Sequence, residues 1–193
     1  MNLIHSAATV LDREGLVKYD RRSNIFSSTA LGKIASYYYI KHESITIYNE
    51  NLKPGVSLIE LFKIFSMSAE FKLVPIRDEE KNELVKMVES VPVPIKGSAD
   101  DSTSKISVLL QAYISRLPLE GYALNSDMVY VVQSASRIMR SLFEICLKRG
   151  WGQATQIALQ AAKMVDKRMW ASMNPLRQFK QIPDYVLSRL EKK

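Results

Sequence analysis

From Asn125 to Arg149 the chain reads NSDMVYVVQSASRIMRSLFEICLKR, twenty-five residues with no proline and no glycine. No other stretch limits the possible folds as much. Asn125, Ser126 and Asp127 are N-cap residue types, and Lys148 and Arg149 put cations in the last turn, where the helix dipole favours them. Gly150 supplies a stop. At about 1.5 Å per residue this helix would run roughly 37 Å, the width of a small domain.

Steps of about 100° per residue divide the helix into two faces. Met128, Val132, Ala135, Met139, Leu142, Phe143 and Cys146 point one way. Val131, Ile138 and Ile145 widen that arc on one side, and Val129 and Leu147 widen it on the other. The opposite face carries Tyr130, Gln133, Ser134, Arg137, Arg140, Ser141, Glu144 and Lys148. An apolar arc of about half the circumference is wider than that of an ordinary surface helix. The segment therefore predicts a spine with other helices packed on most sides, and a narrow, mostly basic polar strip.

The rest of the chain reads as more helices and one hairpin. Residues 2–14 predict an amphipathic helix with Leu3, Ile4, Ala7, Ala8 and Leu11 inward, stopped by Gly15. LVKYD and NIFSS alternate around Arg21-Arg22-Ser23, a short β-hairpin. A helix followed by a basic-tipped hairpin is how a winged-helix domain ends, so the chain is expected to begin partway through one. Thr29 caps a helix to about Ile40, and a second helix runs from Glu43 to Leu52. Ser57 opens a third, with Leu58, Leu61, Phe62 and Phe65 at helical spacing. A bend follows over 69–76. Asp78-Glu79-Glu80 starts a helix reaching about Ser90, with acids where the dipole favours them. Residues 91–104 are the clearest loop. Further helices are expected over Lys105–Ser115 and Gln153–Trp170, then short pieces at Leu176–Gln181 and 184–193. The expected fold is all-α, a helical bundle around one long central helix with a small N-terminal hairpin.

Composition closes off several functions. A single cysteine, Cys146, excludes a disulfide framework and suits a reducing compartment; it falls on the apolar arc, as a core residue would. No eighteen-residue apolar run suggests a transmembrane span, and the N-terminus lacks signal-peptide character, so a soluble, intracellular chain is expected. Neither GxxxxGK[ST] nor GxGxxG occurs, so phosphate cradles are not supported. Asp78-Glu79-Glu80 has no apolar strand before it and reads as a helix start. His5 and His42 stand alone, which speaks against zinc, and His5 suits partial burial on the first helix. Nothing favours nucleophilic catalysis, and the chain as given is expected to be non-catalytic.

The net charge of +7 is uneven. Residues 1–136 hold 15 basic and 16 acidic side chains, whereas residues 137–193 hold 12 basic and 4 acidic. The excess therefore begins inside the long helix. It fits a polyanionic partner, and it equally fits simple solubility charge. Along the strip, Ser134, Arg137, Ser141 and Lys148 share one line, with Gln133, Arg140 and Tyr130 beside it. Arginine can hold phosphate or lie on a base, and Ser, Gln and Tyr can bond phosphate and sugar oxygens. A second cluster comprises Lys163, Lys167, Arg168, Trp170, Arg177, Phe179 and Lys180, in which Trp170 and Phe179 suit a core better than a base platform.

Four phrases carry a family resemblance. TALGKIASYYYI from Thr29, KISVLLQAYISR from Lys105, SDMVYVVQSASRIMRSLFEICLKRGW from Ser126 and KMVDKRMWASMNPLRQF from Lys163 stand in collinear order. Together they make the whole chain resemble the winged-helix end and Sec-sixty-three-type helical bundle of Ski-two-like DExH-box RNA helicases. SVPVPIK at Ser90–Lys96 and DKRMW at Asp166–Trp170 point to the first cassette of the spliceosomal branch. The helicase branch of the activating-signal cointegrator complex is the alternative. Ser136 departs locally, where relatives often carry Gly or Ala.

The resemblance implies a division into residues 1–28, the end of a winged helix; 29–151, the bundle; and 152–193, the start of a helix-loop-helix region. It implies that the long helix is the ratchet helix lying under an RNA strand leaving the motor domains. Gln133, Ser134, Arg137, Arg140 and Ser141 would be the contact positions, with Tyr130 at their side. No cofactor is expected for this chain, while the parent would use ATP and Mg2+. The implied partners are single-stranded RNA, the RecA-like motor domains of the same parent chain and the large U-five spliceosomal scaffold protein, with no membrane and a nuclear location. A protein-docking scaffold without RNA contact is the competing reading.

Overall fold

The long helix is present and is the spine of the molecule. In the computed structural model, which describes residues 2–95, 97, 101–179 and 181–191, it spans Tyr122–Lys148. In chain order the elements are α1 (Asn2–Arg13), β1 (Val17–Asp20), β2 (Ile25–Ser28), α2 (Ala30–Tyr37), α3 (His42–Asn51), α4 (Leu58–Ser66), α5 (Lys81–Ser90), α6 (Ser102–Ser115), α7 (Tyr122–Lys148), α8 (Gly152–Lys167) and α9 (Asp184–Glu191), with 3-10 turns at Ala69–Phe71, Asp78–Glu80 and Pro175–Gln178. The fold is a helical bundle around one central helix, with a two-stranded antiparallel hairpin near its N-terminus.

α7 lays its apolar arc against α6 on one side and α8 on the other. Leu124, Val131, Ala135, Ile138, Met139, Leu142, Ile145 and Cys146 are all buried. α8 offers buried Ala154, Ala158, Ala161 and Ala162, whose small side chains let the two helix backbones approach closely along their length. Phe62 and Phe65 of α4 fill the other side, and Phe65 tilts against Phe71 at 5.1 Å. Trp170 folds back from the end of α8 into the same core, with its indole nitrogen donating to the Ser115 hydroxyl at 2.8 Å. α8 therefore shares the core of the bundle. Burial raises the Cys146 thiol above its ordinary pKa, as suits a core residue.

The start of α7 differs from expectation. Asn125, Ser126 and Asp127 do not cap it; the helix begins three residues earlier, after Gly121. The Glu83 carboxylate accepts the backbone N–H of Glu120 at 2.8 Å and of Gly121 at 3.0 Å, so an acid from α5 serves the positive end of the dipole. Asp127 is taken instead by a buried ionic cluster. There Lys105, whose side chain is 0% exposed, pairs with Glu80 and with Asp127 at 2.7 Å, and also donates to the Pro75 carbonyl at 2.6 Å. Arg77 closes the group, 2.8 Å from Asp127 and 3.1 Å from Glu80. The cluster ties the entry to α5, the first turns of α6 and the first turns of α7 to one another.

Other limits also shift. α6 starts at Ser102, where the Asp101 side chain accepts the Thr103 N–H at 3.2 Å, ahead of the expected Lys105. Among the described residues of α1 only Ala8 is buried, with Leu11 packed partly against the core; Leu3, Ile4 and Ala7 are exposed, contrary to the inward placement expected of them. His5 is half-buried and bonded to the Tyr19 hydroxyl. Lys180, Lys192, Lys193 and four residues of the expected loop, 96 and 98–100, lie outside the described residues.

Candidate nucleic-acid interface

The polar strip of α7 looks out between two neighbours. On one side stands the turn that ends α2, and on the other stands α8. Gln133 is exposed at the middle of the strip, and Arg140 lies two turns further on, with its side chain 53% exposed. Arg140 pairs with Asp166 of α8, which also accepts the Ser136 hydroxyl. One carboxylate thus holds Arg140 against α8 and leaves much of its guanidinium in solvent. An exposed pair of this kind is worth about 0–1 kcal/mol, so a stronger anion can draw the arginine away.

Arg137 is anchored more tightly. Its guanidinium donates to the carbonyls of Tyr38, at 3.0 Å, and Tyr39, and to the Ser134 hydroxyl at 2.9 Å. Ser134 and Arg137 therefore form one unit that pins the α2 turn to α7. Tyr38 adds a second pin, donating its hydroxyl to Glu144 at 2.8 Å. Burial and the Glu144 carboxylate together push the Tyr38 phenol up to about 12, so it stays a donor. Tyr130 is exposed over its ring while its hydroxyl donates to the Glu70 carbonyl at 2.9 Å.

Ser141 does not belong to the strip. It is fully buried and its hydroxyl returns to the Ile138 carbonyl at 2.7 Å. The helical wheel places it at the polar edge, but the packing closes over that edge. Val129 and Leu147 depart the other way: both are exposed beside the strip rather than covered. The strip thus keeps Tyr130, Gln133, Ser134, Arg137 and Arg140, continues through half-buried Glu144 to exposed Lys148, and is flanked by exposed Val129 and Leu147.

The second basic cluster is divided: Lys163, Lys167 and Trp170 line one groove with Met173 and Pro175, while its arginines are engaged by other partners. Arg168 donates to the Tyr113 carbonyl at 2.8 Å and lies 4.7 Å over that ring. Arg177 is paired with Glu191, whose carboxyl it draws down to about 2, with help from the Asn174 N–H. Trp170 is buried, Lys163 and Lys167 are exposed, and Lys180 is outside the described residues.

Glu80 of the acidic run is consumed by Lys105 and Arg77, and Asp78 by Lys81 at 2.8 Å. Among the described residues no group of three or more His, Cys, Asp or Glu side chains could hold a metal ion. No described helix is long and apolar enough to cross a membrane.

The fold and the strip together define a class: an α-helical bundle whose central helix carries a basic, partly solvated face. Residues 28–190 match the family model described as the Sec63 Brl domain. Over all of its residues the chain is 54% identical to a segment making up 9% of the U5 small nuclear ribonucleoprotein 200 kDa helicase of Homo sapiens. It is 57% identical, over 99% of its length, to 9% of the DExH-box ATP-dependent RNA helicase DExH13 of Arabidopsis thaliana. It is 54% identical over its full length to 9% of the activating signal cointegrator 1 complex subunit 3-like protein of Dictyostelium discoideum. The chain belongs to the Sec63 Brl domain family and spans about a tenth of the length of the relatives it matches.

Proposed function

We propose that this chain is the strand-guiding module of an ATP-dependent RNA helicase, and that the α7 strip holds single-stranded RNA as it leaves the motor domains. The observation that carries this reading is the pairing of exposed Gln133 with loosely held Arg140 on the central helix of a chain so similar to RNA helicase segments. Arg140 supplies a charge for phosphate, Gln133 and Tyr130 supply polar groups for sugar and phosphate, and Ser134 with Arg137 fixes the wall beside them. Catalysis itself belongs to the parent, whose RecA-like motors would use ATP and Mg2+ to pull the strand. The name of the U5 small nuclear ribonucleoprotein relative supports a spliceosomal parent; a nuclear location, a small nuclear RNA duplex as its substrate and docking on the large U5 scaffold protein belong to the same proposal. The equally similar cointegrator relative supports the same module in a helicase of another assembly. Residues 1–28, 29–151 and 152–193 would then be the end of a winged helix, the bundle and the start of a helix-loop-helix region.

The test is titration of a labelled single-stranded RNA into the chain and into its Gln133→Ala/Arg140→Ala variant over a range of salt. The variant is expected to bind about tenfold more weakly, roughly 1.4 kcal/mol. Its salt slope should fall by about 0.7 for the lost phosphate contact. Thermal stability should stay near that of the parent sequence, because only an exposed ion pair is removed. Equal affinity and equal slope would sink the assignment.

A further inference from the structure

We propose that Tyr37 and Tyr39, at the end of α2, form a base-stacking platform beside the α7 strip, which makes the ligand of this face an unstacked single strand. The inference rests on the RNA reading above and adds to it the residues that meet the bases.

Three observations carry it. Both rings are largely in solvent, Tyr37 at 75% and Tyr39 at 83% exposed, so neither contributes to the core. Second, Tyr39 occupies a left-handed helix-end position of the kind glycine fills most readily; Arg116 and Arg168 stand in the same position after α6 and α8, but Tyr39 is the aromatic case. The Ile40 N–H returns to the Ala35 carbonyl at 2.8 Å and the Tyr39 N–H to the Ser36 carbonyl at 3.3 Å, the two bonds of a Schellman helix end. Tyr39 stands at its left-handed residue, with φ of 52°. An aromatic side chain is unfavourable there, and glycine would serve the turn better. A strained residue that packs against nothing in the core points to use at the surface.

Third, the platform is braced on α7. Arg137 grips the Tyr38 and Tyr39 carbonyls, and the Tyr38 hydroxyl is bonded to Glu144. The Tyr37 ring meets the edge of the Tyr38 ring at 4.9 Å and 85°. Lys33 lies one turn before Tyr37 on the exposed face of α2, and Arg140 is across the strip. Aromatic faces set among cations are the usual means of holding single-stranded nucleic acid.

The experiment compares two ligands of the same charge: a labelled twelve-nucleotide oligouridine and an abasic ribose-phosphate chain of equal length. The protein should bind the oligouridine about tenfold more tightly. Tyr37→Ala/Tyr39→Gly is the informative variant, because both changes suit their backbone positions and should leave thermal stability equal or higher. It should lose the preference for bases while binding the abasic chain unchanged, and Tyr37→Phe/Tyr39→Phe should retain the preference. If the Ala/Gly variant binds oligouridine as tightly as the parent sequence, the tyrosines do not stack on bases and the proposal is overturned. Equal binding of both ligands by the parent sequence would overturn stacking yet leave the phosphate contacts standing. Binding of neither ligand would overturn both readings.

Discussion

Replacing Lys105 with alanine is expected to destabilise the protein by about 3–5 kcal/mol in urea unfolding near neutral pH. The ammonium group is fully buried between Glu80 and Asp127 and also satisfies the Pro75 carbonyl. Its removal leaves two carboxylates to share Arg77 in a site with little water, which is far costlier than losing an exposed pair. The same cluster sets an acid dependence. Burial resists ionisation of Asp127, but the bonds and charges of Arg77 and Lys105 outweigh it, and its carboxyl titrates below the ordinary value of 3.8. A depressed carboxyl contributes stability that is complete above the unfolded-state value and is lost as pH falls through the lower folded value. The parent sequence should therefore lose stability below about pH 4, and Lys105→Ala should show a weaker loss there. A destabilisation under about 1 kcal/mol would mean that the cluster is solvated and does not hold the three helices together.

Gly32→Ala is the second large effect, expected at about 2–3 kcal/mol. A Cβ at Gly32 would lie 1.9 Å from the Leu16 carbonyl oxygen and 2.8 Å from its carbon, and both belong to backbone that cannot swing aside. That carbonyl also accepts the Thr29 hydroxyl at 2.9 Å, while the Thr29 oxygen caps α2 through the Gly32 N–H. One added methyl thus pushes the hairpin off α2 at the junction where buried Leu16 enters the bundle core. Hydrogen exchange should accelerate over residues 16–29 and remain slow in α6 and α7. Unchanged exchange at the junction would show that the hairpin rides on the bundle without that contact.

Much of the architecture was legible because α7 has a long uninterrupted period. An apolar arc of that width can only be buried by several partners, and α6 and α8 supply them. The ends of α7 were less legible. Asn125 and Asp127 are good cap residues in isolation, but Glu83 from α5 and Lys105 from α6 reassign those roles, and such long-range partners leave no local signature. Ser141 shows the same limit on the functional face. The wheel places it at the polar edge, where burial depends on how neighbouring helices close over it. Arg137 was legible as a basic residue on the strip, but its grip on the Tyr38 and Tyr39 carbonyls was not, because it depends on where the end of α2 lands. The signal that could have drawn attention to that turn is local: three tyrosines run into a helix end that has no glycine.

The most direct measurement of the central claim is photocrosslinking of a 4-thiouridine oligonucleotide to the protein, with the crosslinked peptides identified by mass spectrometry. Crosslinks are expected between residues 130 and 140 of α7 and at the α2 turn. Crosslinks confined to the exposed lysines of α8, with α7 and the α2 turn unmarked, would contradict the account.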